Sequence, residues 1–331
     1  MTNPTPQPIS ALATFTGADT DTDTGLSLER IAEATDAIDP VFLNSPQYVD
    51  EHLSAILGRD VLVKVETLNP LRSFKGRGAD TLMHTMPPGA VVVCASGGGN
   101  FGQAIGYAAR RRGLQAHVFV PPSMSAIKLN RMEGFGARLH VVDDDLHAAS
   151  ATFAAEGDSR ILITDGNQPA IAEGAGTIGV ELLQAATRFD TVALPVGDGA
   201  LITGVARWLK AHAPQIRVIG VGAADAPAMM RSWRTGDVVT TAPRSTFAAG
   251  ISITRPHPEA VRRCRALVDD MLLVDRDDLV HAMHIVRETL GVLAEPAGVA
   301  GIAALARHDV PGGTAATVIT GANADPDHLA A

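Results

Sequence analysis

Short β-branched, apolar runs recur along this chain, each followed by a stretch in which apolar positions return every three or four residues. Residues 61–66 (VLVKVE) alternate apolar and polar positions, the two-residue period of a strand. Further runs fall at 91–95, 117–120, 139–142, 161–164, 191–196, 217–221, 271–274 and 316–320. Helical periods occupy 28–37, 51–58, 101–112, 200–212 and 277–290, with Gly58 and Gly113 at the ends of two of them. Strands alternating with amphipathic helices predict an α/β fold with largely parallel, twisted sheets. Residues 1–26, rich in Thr, Asp, Pro and Ala, carry no period and predict a mobile N-terminal arm.

Composition narrows the class. The chain has 331 residues, 46% hydrophobic and 19% charged, enough for a large core and two lobes. Its net charge of −9, with no basic run, argues against nucleic acid or an anionic membrane surface as partner. No basic start followed by an apolar core is present, and no apolar run reaches transmembrane length. Two cysteines, Cys94 and Cys264, suit a reducing compartment, so a soluble cytoplasmic protein is expected.

Four stretches carry candidate chemistry. Asn69-Pro70 break the first strand, and Ser73-Phe74-Lys75-Gly76-Arg77-Gly78 follows, with Ser73 placed to cap a helix. Lys75, beside Phe74, is poorly sited for a surface charge and well sited as an amine nucleophile toward an aldehyde. The run 91–95 empties through Ser96 into Gly97-Gly98-Gly99-Asn100, then Phe101 and a helix, so backbone N–H groups can approach an anion. Gly97 to Gly102 also matches G-x-G-x-x-G, but the next strand runs into Val120-Pro121-Pro122-Ser123 instead of the acid a dinucleotide needs.

The run 191–196 leads into Gly197-Asp198-Gly199-Ala200-Leu201 and another helix, a phosphate cradle without the Lys-Ser/Thr pair of a P-loop. A carboxylate beside a dianion is repelled, so Asp198 is expected to turn away, cap the helix, or pair with a cation such as an arginine. Glu295-Pro296-Ala297-Gly298 opens a small-residue helix, and Thr320-Gly321-Ala322-Asn323 follows the last strand.

These stretches, in this order, resemble the motifs of fold type II pyridoxal-phosphate enzymes, the tryptophan-synthase β family, in the threonine dehydratase and serine racemase branch. The resemblance runs from about residue 39 to residue 323. It implies that Lys75 is the catalytic Schiff-base lysine, with Phe74 beside the cofactor, pyridoxal 5'-phosphate. It implies that Asn100 bonds the cofactor's ring hydroxyl, that Gly197, Asp198, Gly199, Ala200 and Leu201 hold its phosphate, and that Glu295 and Thr320 lie near its ring. Ser96, Gly97, Gly98, Gly99 and Phe101 then fall on the substrate side. The departures are an extra glycine between Ser96 and Asn100, Phe101 where histidine is common, and Asp198, Ala200 and Ala322 in place of glycines.

The resemblance also implies a large domain (27–89 and 168–331), a small inserted domain (90–167) with the site between them, and a homodimer. The implied activity is that of an ammonia-lyase (dehydratase) converting a serine- or threonine-like amino acid to a 2-oxo acid and ammonia. The alternatives are a β- or γ-replacement synthase of the threonine or cysteine synthase type, and a non-catalytic pyridoxal-phosphate carrier. The racemase branch places a serine two residues before the loop asparagine; here that residue is Gly98, so elimination without appreciable racemisation is expected. No metal is expected, because Gly222 follows Gly220-Val221 where the branch's cation site has an acid, and the histidines lack ligand spacing. The chain's end at residue 331 predicts no C-terminal regulatory domain.

Overall fold

A computed structural model describes residues 24–329 of the chain. The run after residue 60 forms Val61–Val65 (β2), which lies between Gln47–Val49 (β1) and Ala315–Ile319 (β10). Thr191–Pro195 (β7), Arg217–Ala223 (β8) and Asp270–Val274 (β9) complete a six-stranded sheet of order β1-β2-β10-β7-β8-β9. Among the described strands of this sheet, β1 and β2 pair antiparallel and the others pair parallel. A second, wholly parallel sheet has the order β5-β4-β3-β6, from Val91–Ala95 (β3), Gln115–Val120 (β4), Ala137–Val141 (β5) and Arg160–Ile163 (β6).

Each expected run is a strand, to within a residue or two at its ends. The three-residue β1 is the addition; it follows Pro46 without any period of its own and exists by pairing Gln47, Tyr48 and Val49 with Lys64, Val63 and Leu62. All five residues of β2 are buried, Lys64 included. A strand inside a largely parallel sheet is covered on both faces, so its polar residues must find partners inside.

Among the helices, Leu28–Ala37 (α1), Glu51–Leu57 (α2), Asn100–Arg111 (α4), Ala200–His212 (α8) and Arg276–Leu290 (α11) stand where the period places them. Lys75–His84 (α3) follows β2, and Pro169–Gln184 (α7) carries the chain from β6 back to the larger sheet. Helix α7 packs against α1, α3 and α8. It approaches α8 so closely that a Cβ on Gly204 would overlap the carbonyl of Ala172.

The expected N-terminal arm lies outside the described residues except for its last three, and there it is corrected. Leu26 is buried, its carbonyl accepts from Arg207 Nε at 3.0 Å, and the carbonyl of Thr24 accepts from Arg263 Nε at 2.9 Å. Those two arginines fix the chain from Thr24 onward. No helix among the described residues is long and apolar enough to cross a membrane.

Candidate active site

The carboxyl ends of β3, β6, β7 and β10 open into one cleft of about 930 Å³. Ligands of parallel α/β sheets settle beyond the strands' carboxyl ends, where connecting loops turn into helix N-termini. Lys75 is the first residue of α3. The cap position belongs to Phe74, not Ser73; the Ser73 hydroxyl instead accepts the Lys75 N–H at 3.1 Å. The Phe74 N–H donates to the Thr320 carbonyl at 3.1 Å, tying the start of α3 to the end of β10.

The Lys75 ammonium lies 5.1 Å from the centre of the Phe74 ring and 5.6 Å from that of Phe101. It forms an ion pair with Asp165, in the turn after β6. Asp165 escaped sequence reasoning, since one aspartate in a Thr-Asp-Gly turn gives no signal and only the fold brings it to Lys75.

Behind Lys75, on the same helix, Arg77 is fully buried and bridges two acids. It donates to Glu66 Oε1 and Oε2 at 2.7 and 2.9 Å, and to Glu181 Oε1 and Oε2 at 2.6 and 2.9 Å. Lys64 adds an ion pair to Glu181 at 2.5 Å. Burial lowers the Lys64 pKa, while the hydrogen bonds and charge of Arg77, joined by Lys64, overcome burial at Glu181 and hold that carboxyl below its ordinary range.

At the glycine run, Asn100 begins α4 and its amide donates to Glu295 Oε1 at 2.6 Å. Asn323 completes the group: its N–H donates to Glu295 Oε2 at 3.1 Å and its side-chain amide to Asn100 Oδ1 at 2.7 Å. Ser96 Oγ accepts the Gly102 N–H at 3.0 Å, so this buried hydroxyl serves the first turn of α4. Gly97, Gly98 and Phe101 line the cleft, as does Gly99, against which the stem of Lys128 packs. Lys128, unremarked in the sequence, is buried and paired with Asp325 at 2.6 Å.

The second cradle is built at the start of α8. A Cβ on Gly197 would overlap the carbonyl oxygen of Gly250, and Gly199 has φ +89°, so neither position accepts an ordinary side chain. Ala200 and Leu201 follow as the first helical residues, their N–H groups at the positive end of the helix dipole. Asp198 meets neither the cap nor the cation-pair expectation. It lines the cleft, does not cap α8, and its side chain makes no hydrogen bond or ion pair among the described residues. Burial, then the neighbouring Asp165 carboxylate, raise its pKa against the pull of Lys75. Thr320 and Glu295 line the same cleft.

Comparison with known proteins agrees with this geometry. The model of the family described as "Pyridoxal-phosphate dependent enzyme" matches residues 43–321. The biosynthetic L-threonine dehydratase IlvA of Pasteurella multocida is 33% identical over 279 residues, 82% of this chain and 54% of its own. The L-threonine ammonia-lyase of Thermotoga maritima is 30% identical over 306 residues, 91% of this chain and 76% of its own. The chain thus spans about half the length of the first of these curated relatives. Among solved structures, maize serine racemase superposes with a TM-score of 0.84 at 27% identity, covering 92% of this chain and 95% of its own. The processed form of threonine deaminase isoform 2 from Solanum lycopersicum gives a TM-score of 0.82 at 27% identity, covering 93% of this chain and 88% of its own.

The residues present fit pyridoxal phosphate: an amine at the head of a helix, and a glycine turn at the start of α8 where Gly199 has φ +89° and Gly197 lies too close to the Gly250 carbonyl for a Cβ. Asp198 is the one member of the cradle that a phosphate does not call for.

Proposed function

We propose, from the premise that this chain belongs to the pyridoxal-phosphate-dependent enzymes, that it is an ammonia-lyase releasing a 2-oxo acid and ammonia from a serine- or threonine-like amino acid. The observation that carries the reading is the Lys75 amine facing the cleft, with glycine-lined helix starts at α4 and α8 and no hydroxyl at Gly98. The names of the dehydratase relatives support the same substrate class.

In this reading the backbone N–H groups of residues 97–99, at the head of α4, receive the substrate carboxylate. The start of α8 would hold the cofactor phosphate, and Asn100, itself held by Glu295 and Asn323, would bond the cofactor's ring hydroxyl. Bound pyridoxal phosphate supplies the electron sink for the charge left at Cα. The Lys75 amine takes the α-proton as general base, and the Asp165 carboxylate holds the ammonium that results. Phe74 and Phe101 flank that amine. The β-hydroxyl leaves as water with one proton, balancing the proton taken from Cα, and one water then cleaves the C–N bond to leave the 2-oxo acid and ammonia.

The test is incubation of single enantiomers of serine and threonine with the loaded enzyme, read by 2-oxo acid trapping and chiral chromatography. One enantiomer should yield 2-oxo acid, and Lys75→Ala should abolish the yield. Accumulation of the opposite enantiomer faster than 2-oxo acid would make the protein a racemase instead. Product formed only when a second nucleophile is added would make it a replacement synthase.

A further inference from the structure

The acid in the phosphate cradle has no cation paired with it among the described residues, and the fold makes room for it. Gly166, at φ +80°, lets the turn after β6 pass directly over Asp198; a Cβ there would overlap the Asp198 carbonyl and lie 2.9 Å from its side chain. Arg263, which donates to the carbonyl of Gly166 at 3.3 Å and to those of Thr24 and Asn167 at 2.9 and 3.1 Å, makes no ion pair with Asp198. Asp165 is committed, with Oδ2 on Lys75 and Oδ1 accepting the Gly166 N–H at 3.1 Å. The other titratable neighbours are the Cys264 thiol beside Gly199, and Arg255 and His257 on the cleft wall. Burial and the Asp165 charge disfavour ionisation of Asp198 even before a ligand arrives.

A phosphate dianion at the start of α8 adds a further negative charge beside this group. Repulsion in a partly enclosed cleft is weakly screened, and the cheapest relief is protonation of the acid that has no partner. We propose that Asp198 takes up a proton from solvent as the cofactor phosphate binds and meets it as a neutral acid that donates a hydrogen bond. In this step one proton joins one carboxylate, and no bond to the cofactor forms or breaks. Cofactor retention is therefore linked to pH through Asp198, whatever reaction the loaded enzyme performs.

The probe is 4′-deoxypyridoxine 5′-phosphate, which lacks the aldehyde and leaves Lys75 free, titrated calorimetrically into the cofactor-stripped full chain. Above pH ~7 the phosphate is already a dianion, so its own titration does not contribute. Affinity should fall with rising pH by up to about tenfold per unit, with proton uptake read from buffers of different ionisation heat. Asp198→Asn should bind about tenfold more tightly near pH ~8.5, lose most of the slope, and match the native protein near pH ~6. 4′-Deoxypyridoxine without its phosphate should not distinguish the two proteins, which removes ring titrations from the comparison. Equal slopes in native and Asp198→Asn proteins, or a slope removed by Asp165→Asn instead, would overturn the assignment. Absence of proton uptake by the native protein would overturn it without recourse to any variant.

Discussion

The amide nitrogen of Asn100 lies 2.6 Å from Glu295 Oε1, joining the first residue of α4 to the residue that precedes the 3-10 turn Pro296–Val299. The contact fastens the glycine loop of the smaller sheet to the larger sheet's side of the cleft. Asn323 bonds to both partners, so the three side chains hold one another in place. Burial pushes the Glu295 carboxyl up, and the Lys128 charge with the Asn100 and Asn323 hydrogen bonds only partly offsets it.

That direction sets a pH dependence of stability. A carboxyl whose folded pKa is raised binds more protons folded than unfolded, so its contribution falls as pH rises from the ordinary glutamate range through the raised value. Glu295→Gln should flatten this part of the profile, measured by urea unfolding of the cofactor-stripped protein. The same profile in native and Glu295→Gln proteins would count against the raised pKa. Glu295→Ala, which leaves the Asn100 amide and the Asn323 N–H without an acceptor, should cost about 1–3 kcal/mol.

Arg77 anchors α3 from behind. Its replacement by Met leaves Glu66 and Glu181 buried without their bidentate partner, and should destabilise the protein by about 3–5 kcal/mol in chemical denaturation. Glu181 carries the opposite sign from Glu295. Its depressed pKa contributes stability above the ordinary glutamate value, which is lost as pH falls through the folded pKa. Glu181→Gln should lower stability near neutrality and weaken the acid-side dependence; an unchanged acid-side slope would contradict the pairing.

The strands, the two glycine cradles and Lys75 were legible because each is written locally, as a period or a short run of glycines beside a helix start. The Arg77 network was not, because Arg77 and Glu181 are brought together across 104 residues of sequence and no period marks them. The burial of Lys64 was not legible for a related reason: the period marks a strand, while its partner Glu181 lies far away in sequence. Asp198 was recognised as out of place, but its setting depends on Asp165 and Gly166, which only the fold sets against it.

Gly197 separates cradle from scaffold. A methyl there meets the Gly250 carbonyl, so Gly197→Ala must displace backbone at 249–251 that also lines the cleft. The expected result is cofactor affinity lowered by on the order of tenfold or more, with far-ultraviolet circular dichroism unchanged, since the strain falls on the turn. Equal cofactor occupancy in the folded variant would reduce the turn to a strand–helix connection.

Stereochemistry turns on Gly98. Inversion at Cα needs an acid on the face of the carbanion opposite Lys75, and residue 98 offers no side chain to supply it. Ser96 is held at the first turn of α4 by the hydrogen bond its buried hydroxyl oxygen accepts from the Gly102 N–H. Room for a hydroxyl nonetheless exists: a Cβ on Gly98 would lie 3.6 Å from the Ala249 carbonyl carbon and the Gly250 nitrogen, which is ordinary contact. Gly98→Ser should therefore fold, bind cofactor as the native protein does, and invert serine on the order of 100-fold faster than the native background, the usual scale for one general acid–base group. Elimination should persist, because Lys75 and Asp165 are untouched. Chiral chromatography of single enantiomers, with solvent deuterium followed into the opposite enantiomer, measures both rates. A native enzyme that already inverts serine faster than it forms 2-oxo acid would show that a group other than residue 98 reaches that face.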